Sequence, residues 1–511
     1  MKKTAHFYID SLCNNKYFFP GLYAFIILLY TIVAVQSFGY DDEFFNIYLI
    51  ETYGFKAIAH LQHADIHPPL SYVANVVFFK VFHSWTAVRL ISGLLTSCAF
   101  IMVVSSQRRH YGNGQALVVF LLLALNPAIL MWCTGIRWYA YFLPILLYLV
   151  FLPVRSGYKE WVKILAAITL LAYIEYSAFL IILPVLLLRW TFSEDTSKTK
   201  LRYLLYLSPV FVVLYGYQLF VFLTVHLKNK GMQVSHSLVA NLRGYFISQI
   251  SNQGVFPVSV AALLSIFGSI GILLCIMGQM LKGPNTKRTN VAMAVYVITV
   301  VSLLIAGVAW KPRNLVLLIP FQIFLMANYH TLLRNIRLYT GSVILIGIAN
   351  VCGCVNVALH ENTTKNSWNL PVKETIDEIS KLGNNDSSLM IFTYDPTLHY
   401  VLQQHNFNVV SLNKSEKTIT EGQVRTAVFI KTFRGTIPKT VYDSLIAEEN
   451  SIQSSASKVV KIGRDKYYQW KRKVVEEYPE YEVELLIYQT PLHLDKLIFW
   501  NGKRGYRRTA D

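Results

Sequence analysis

The stretch "FFPGLYAFIILLYTIVAVQSFGYDDEFFNIYLI", residues 18–50, joins a long apolar run to three adjacent carboxylates, Asp41, Asp42 and Glu43. The apolar part is about 20 residues long, which suffices to cross a bilayer as a helix. It lacks a small-residue cleavage site, so we expect a signal anchor and not a removed signal peptide. Residues 1–359 contain only ten Asp or Glu, and five of them fall between Asp41 and Asp65. This concentration of acids after a membrane segment points to a function for the loop.

The composition predicts a polytopic α-helical membrane protein. Of the 511 residues, 54% are apolar and 15% are charged, whereas soluble domains carry about 25% charged residues. The net charge is +18, yet residues 360–511 hold 21 basic and 19 acidic residues. The positive excess therefore belongs to the apolar part, which is typical of cytoplasmic loops and argues against a nucleic-acid surface.

Twelve apolar segments precede residue 360, and charge bias decides how many of them cross. If the segment at 69–84 crosses, Arg108 and Arg109 fall outside. If this short segment instead enters or lies along the outer leaflet, every strongly basic loop falls inside. We therefore predict eleven spans, with the N-terminus inside and the C-terminus outside. The segments are about 19–38, 69–84, 86–106, 115–133, 139–153, 161–173, 177–190, 203–225, 257–281, 291–309, 314–333 and 339–357.

The pattern changes after residue 360. Short β-branched or aromatic runs at 388–394, 426–432 and 481–489 predict strands, and helix-like stretches separate them. We predict a membrane domain over 1–359, with a first extracytoplasmic loop at 39–68, and a small extracytoplasmic α/β domain over 360–511. None of the six cysteines lies after residue 360, so this domain would have no disulfide, and the chain has no zinc-ligand spacing.

Polar residues from several loops share the predicted outer side. Acids come from the first loop and from the stretch with Glu175, and bases come from two later loops, which predicts a site that binds an anionic head group beside a carboxylate. Structural roles stay open for each of them, as helix starts, turn residues or interfacial anchors. If residues 161–190 form a hairpin, Glu175 lies in its turn. If they form one helix, Glu175 lies at mid-membrane. The candidates are Asp41, Asp42, Glu43, Asp65, His67, Arg137, Glu175, Lys311 and Arg313.

Three stretches resemble the GT-C superfamily of membrane glycosyltransferases that use polyprenyl-phosphate sugars. It includes protein O-mannosyltransferases, aminoarabinose transferases and bacterial O-antigen glucosyltransferases. Asp42-Glu43 and the run His67-Pro68-Pro69-Leu70 occupy the places of the family's acidic pair and Pro-Pro-Leu motif in the first loop. "TGIRWYAY" is similar to its small-x-Arg-x-Tyr stretch, through Arg137 and Tyr139. "WKPRNLVLLIP" is similar to its Arg-to-Pro helix start, through Arg313 and Pro320.

The resemblance implies inverting transfer of a sugar from an undecaprenyl- or dolichyl-phosphate donor to an acceptor hydroxyl outside the membrane. Asp42 would be the general base, and Asp41 or Glu43 would orient it or help to hold a metal such as Mg or Mn. Arg137, Lys311 and Arg313 would bind the lipid phosphate. The remaining candidates for substrate binding are Asp65, His67, Tyr139 and Glu175.

Two other function classes stay open, namely a transporter or flippase of lipid-linked sugars and a polymerase of lipid-linked saccharides. Against a transporter, no Asp or Glu lies between Asp195 and Glu361, and there is no internal repeat. The expected partners are the donor lipid, a glycan or lipid acceptor and the bilayer, without nucleic acid. The expected location is a bacterial inner membrane with the C-terminal domain in the periplasm, and lipopolysaccharide O-antigen is the favoured acceptor.

Overall fold

Contacts between residues divide the chain into two compact units. The first is Met1–Phe38 with Tyr53–Glu361, and the second is Gly39–Thr52 with Asn362–Asp511. The computed structural model describes residues 15–36, 43, 46–47, 50–51, 54–56, 58, 68–153, 155–226, 239, 242, 245, 260–282, 287–305, 316–329, 336–366, 372–383, 389–393, 396–411, 426–432, 456–463 and 481–489. The division at residue 359, with the whole first loop assigned to the membrane domain, stays a prediction.

The first unit is helical throughout its described elements. Its helices are α1 (Phe18–Gln36), α2 (Leu70–Phe82), α3 (Trp85–Tyr111), α4 (Asn113–Val119), α5 (Pro127–Cys133), α6 (Tyr139–Phe151), α7 (Tyr158–Ile174), α8 (Ala178–Phe192), α9 (Ser197–Val221), α10 (Val260–Lys282), α11 (Lys287–Ile305), α12 (Ile319–Tyr329) and α13 (Ile336–Asn366). A π-helical turn, Phe120–Ala124, follows α4, and another, Phe222–His226, follows α9.

The chain is a polytopic helical membrane protein. Five of the described helices are long and apolar enough to cross a bilayer, and the bent pair formed by α4, its π turn and α5 would make a sixth. Five more apolar helices are shorter. Helix α2 has 13 residues and rises about 20 Å, which is less than the bilayer's apolar thickness of about 30 Å. The total of eleven spans stays a prediction.

The ends of five helices of the first unit, α3, α6, α7, α8 and α9, form two groups. Gln107 at the end of α3 donates to the Phe151 carbonyl of α6 at 3.0 Å, and Arg189 of α8 donates to the Leu152 carbonyl at 3.0 Å. Trp161 of α7 packs edge-to-face on Trp190 of α8, with ring centroids 6.1 Å apart. These ends, together with the start of α9, are called the basic end below. Three of the strongly basic loops, at 108–109, 155–163 and 189–202, therefore lie together.

The opposite ends of the same helices are called the Arg137 end. It holds the start of α3, the segment before α6 and the turn between α7 and α8. Since a helix keeps its two ends apart, Arg137 and Glu175 lie at the other end of these helices from Arg108 and Arg189. Which membrane side each end faces stays a prediction.

Small residues allow a close helix contact between α10 and α13. A Cβ added to Gly268 would lie 2.8 Å from the Ser342 carbonyl oxygen, and one added to Gly271 would lie 2.0 Å from the Ser342 Oγ. Close approach through small residues is typical of packing inside membranes, where apolar surface alone gives no preference for protein over lipid.

The second unit contains a five-stranded mixed sheet. Its strands are β1 (Leu389–Thr393), β2 (Val409–Ser411), β3 (Thr426–Thr432), β4 (Lys458–Gly463) and β5 (Tyr481–Gln489), in the order β2-β1-β3-β5-β4. Strand β1 is parallel to β2 and β3, and β5 is antiparallel to β3 and β4. Two helices, α14 (Val372–Ser380) and α15 (Pro396–Gln404), accompany it. The three predicted strands are confirmed as β1, β3 and β5.

One face of this sheet has a buried apolar core made of Phe392, Phe429, Leu486 and Tyr488. The alternation of strand side chains places these residues on one face, since β1, β3 and β5 are neighbours. The helix-like stretch at 396–405 is confirmed as α15, whereas the one at 438–450 lies outside the described residues. Strands β2 and β4 were not predicted from the sequence.

Candidate functional site

The segment before Arg137 is a broken helix. Helix α4 with its π turn is bent by 56° against α5, across Leu125 and Asn126. The Asn126 Oδ1 accepts from the backbone N–H groups of Ala128 and Ile129, at 3.1 and 3.2 Å. Asn126 therefore caps α5, and Pro127 at the first helical position fits the start of a helix. The sequence predicted one continuous span over 115–133, and the structure instead interrupts it.

Side chains from helices that are distant in the sequence donate hydrogen bonds to backbone carbonyls at the break. Asn350 of α13 donates to the Leu121 carbonyl at 2.9 Å, and the Cys354 thiol donates to the Leu125 carbonyl at 3.1 Å. The Tyr30 hydroxyl of α1 donates to the Ala124 carbonyl at 3.4 Å. Broken helices persist in a membrane where such donors replace the lost helical bonds. Two neighbouring helices thus stabilise this break.

Arg137 lies in the irregular segment that joins α5 to α6. Residues 134–138 are not helical, and the segment is buried, with Arg137 6% exposed. Irregular backbone at membrane depth occurs only where it is buried in protein or lines a cavity. Since a charge inside a membrane protein is costly, a buried arginine is a functional candidate by default.

Aromatic side chains enclose the start of α6. The Trp138 ring stacks on Tyr139 at a centroid distance of 3.8 Å, and Trp132 of α5 lies 6.0 Å from Tyr139. Trp132 is fully buried, and Tyr139 is 3% exposed. Tyr139, a predicted substrate-binding residue, is therefore part of the packing that holds this segment.

The helix after the Pro-Pro motif meets the helix after Arg137. The Tyr141 hydroxyl of α6 donates to the Asn75 Oδ1 of α2 at 2.6 Å, and Phe78 stacks on Tyr141 at 6.5 Å. Asn75 is 1% exposed. Two of the three sequence stretches that carry the family resemblance thus lie on helices in direct polar contact.

Arg89 is a buried cation that the sequence reasoning missed. It lies one turn into α3, at the Arg137 end, and is 8% exposed. It shares a helix face with Ser92 and Gly93, which are buried. The available signal was an arginine inside an apolar span, which by itself indicates function.

Glu175 lies in the turn between α7 and α8, so the hairpin interpretation of 161–190 is confirmed. It is 8% exposed, and its Oε1 accepts from the Ser177 N–H at 3.4 Å. A carboxylate in this position closes the turn locally. It shares the Arg137 end with Arg137, and its role in substrate binding stays a prediction.

Most of the predicted acids and two of the predicted cations lie outside the described residues. Glu43 is described: it is helical and fully buried, within the second unit. Among the described residues, no group of three or more His, Cys, Asp or Glu could hold a metal ion. Asp41 and Asp42, which were predicted to hold any metal, lie outside the described residues. The residues outside the description are Asp41, Asp42, Asp65, His67, Lys311 and Arg313.

Comparison with known proteins gives little further guidance. No family model matches the sequence, and no curated protein matches it. Two solved structures of ArnT from Cupriavidus metallidurans are similar. The one bound to undecaprenyl phosphate has a TM-score of 0.48 at 12% identity and covers 92% of this chain and 98% of that chain. The structure in the apo state has a TM-score of 0.36 at 13% identity and covers 91% of this chain and 97% of that chain. Likeness at this level carries no argument about this chain.

Proposed function

We propose that this protein is an inverting glycosyltransferase that moves a sugar from a polyprenyl-phosphate donor to an acceptor hydroxyl on the extracytoplasmic face. The observation that carries the proposal is the buried irregular segment with Arg137, whose following helix hydrogen-bonds to the helix after Pro68 and Pro69. Both stretches resemble the same family of enzymes. A buried arginine in this segment is suited to bind the phosphate of a lipid donor.

The reaction follows from the residue types. The acceptor oxygen attacks the anomeric carbon in line and forms the new C–O bond, while the bond from this carbon to the phosphate oxygen breaks. Asp42 takes the hydroxyl proton, and the polyprenyl phosphate leaves with the electron pair. The transition state resembles an oxocarbenium ion, with negative charge growing on the leaving phosphate.

The cations have the complementary role. Arg137 would bind the leaving phosphate through two parallel N–H bonds, which stabilises the charge as it grows. Lys311 and Arg313 would complete the phosphate site, and Asp65, His67, Tyr139 and Glu175 would contact the sugar or acceptor. Asp41 or Glu43 would orient Asp42 or, with a divalent cation, help to hold the donor.

The proposed acceptor is a cell-surface glycan, with lipopolysaccharide O-antigen as the first candidate. The proposed location is a bacterial inner membrane with the second unit in the periplasm. Three basic loops that lie together at one end of the first unit support this orientation, because basic loops favour the cytoplasmic side.

A flippase of lipid-linked sugars is the second candidate, and the broken helix favours it. Discontinuous helices form the substrate sites of many transporters, and α4 and α5 are such a pair. The two candidates differ in product. In proteoliposomes loaded with a donor lipid, a transferase forms a covalent glycoside and releases polyprenyl phosphate, whereas a flippase moves the donor across unchanged.

A further inference from the structure

Two neighbouring helices begin side by side at the basic end. Tyr158 at the start of α7 packs edge-to-face on Tyr203 of α9, with centroids 5.7 Å apart. Near the far end of α7, the Tyr173 hydroxyl donates to the Leu214 carbonyl of α9 at 3.2 Å. The two helices therefore run in parallel and present their first turns on one surface.

The first two turns of each helix carry exposed cations four residues apart. These are Lys159 and Lys163 on α7 and Lys198 and Arg202 on α9, and all four are exposed. Residues four apart lie on one helix face, so each pair forms a short basic row. Exposed Arg155 precedes α7.

The acids nearby do not cancel this charge. Buried Glu160 accepts from the Tyr148 hydroxyl at 3.4 Å and pairs with Lys163 at 3.5 Å. Asp195 accepts from the Gly157 N–H at 3.1 Å and from the Ser193 hydroxyl at 3.1 Å. Glu194 is the exposed acid beside the row on α9. The surface keeps a positive excess.

Buried cations hold this surface in shape. Lys200 donates to the carbonyls of Trp190 and Ser193, at 2.6 and 2.8 Å, and Arg189 donates to the carbonyls of Tyr148 and Leu152. These charges satisfy the carbonyls at the ends of α6 and α8. The basic rows therefore stand on fixed helix ends.

Exposed apolar side chains adjoin the rows. Leu201, Leu205 and Tyr206 on α9 are 53%, 64% and 63% exposed, and Val162 on α7 is also exposed. Cations beside a lipid-facing apolar strip match a molecule with a phosphate head and acyl chains. A free anion would use the cations alone. We propose that the first two turns of α7 and of α9 form a binding site for an anionic phospholipid, with phosphatidylglycerol as the test ligand.

The test uses the full chain purified in detergent and measures retained lipid by native mass spectrometry. We expect phosphatidylglycerol to bind in preference to phosphatidylcholine. The triple variant Lys159→Gln, Lys198→Gln, Arg202→Gln should weaken its affinity by roughly a hundredfold, at about fivefold per cation. Lys381→Gln, which removes an exposed cation of the second unit, is the matched control and should retain wild-type affinity.

Three outcomes would overturn the inference: equal binding of the two lipids, undiminished phosphatidylglycerol affinity in the triple variant, or displacement of the lipid by millimolar inorganic phosphate. The last would indicate a free-anion site. If the triple variant does not fold, the variant Lys159→Arg, Lys198→Arg, Arg202→Lys is measured instead. It keeps all three positive charges, so it must still bind phosphatidylglycerol in preference to phosphatidylcholine, and loss of this preference would overturn the inference. The wild-type affinity must also fall as the salt concentration rises.

Discussion

The Tyr141 hydroxyl lies 2.6 Å from the Asn75 Oδ1, and this hydrogen bond joins α6, which follows Arg137, to α2, which follows Pro68 and Pro69. Asn75 is buried and Tyr141 is partly buried, and a buried polar group that loses its partner costs more than the bond itself contributes. The bond therefore fixes the position of one candidate substrate-binding segment against the other.

Tyr141→Phe removes this donor and leaves the buried Asn75 amide oxygen without it. We expect a loss of about 1–3 kcal/mol in the free energy of unfolding and a fall in sugar transfer that exceeds the fall in folded protein. The thermal midpoint in detergent and a transfer assay measure the two effects. Tyr173→Phe, which removes the hydroxyl that donates to the Leu214 carbonyl on another helix pair, should leave transfer intact, and equal losses in both variants would refute the assignment.

Asn126→Ala removes the cap of α5 at the helix break. The backbone N–H groups of Ala128 and Ile129 lose their acceptor, so we expect a loss of about 0.5–2 kcal/mol, read as a lower thermal midpoint. Asn126→Asp keeps an acceptor and should restore most of the stability. If Asn126→Asp lost as much stability as Asn126→Ala, the cap would not be the cause of the loss.

Gly268→Ala tests the contact between α10 and α13. The new Cβ would lie 2.8 Å from the Ser342 backbone carbonyl, which cannot rotate away, so the helices must move apart, at a cost of about 1–3 kcal/mol. Gly278→Ala on the same helix meets nothing within 4 Å and is the control. It should be neutral or stabilising, since alanine favours a helix by about 1 kcal/mol. Similar midpoints for both variants would contradict the close contact.

Arg189→Met removes a buried guanidinium that caps α6. Because the carbonyls of Tyr148 and Leu152 lose their donor, we expect a loss of about 1–3 kcal/mol in stability. Arg189→Lys should rescue only part of it, since one ammonium does not reproduce the planar fork. Arg109→Met replaces an exposed arginine at the end of α3 and should change the thermal midpoint little. A larger loss of stability in Arg109→Met than in Arg189→Met would refute the capping role.

Apolar runs were enough to predict most helices, because length and composition alone distinguish a membrane helix from other structure. Short runs of β-branched or aromatic residues were likewise enough for β1, β3 and β5. Strands β2 and β4 were missed, since β2 has only three residues and "KVVKIG" is short and flanked by polar residues. A short strand such as β4 takes its stability from pairing with β5, which the local sequence does not encode.

The candidate site was predicted only in part. Arg137 and Tyr139 were selected from their motif, and both lie in the buried segment at the Arg137 end. The helix break was not predicted, because Asn350 and Cys354 lie 229 residues from the carbonyls they satisfy. Arg89 was missed because its span reads as uniformly apolar when segments are judged by average composition.

Sugar transfer from a polyprenyl-phosphate donor in proteoliposomes tests the proposed function most directly. We expect Asp42→Asn and Arg137→Gln each to lower the rate by at least about a hundredfold at normal protein levels. Glu51→Gln, an acid of the same first loop, and Arg109→Gln, an exposed arginine, should keep the rate. Transfer that survives in Asp42→Asn, or wild-type protein that moves the donor across the bilayer without forming a glycoside, would contradict the account.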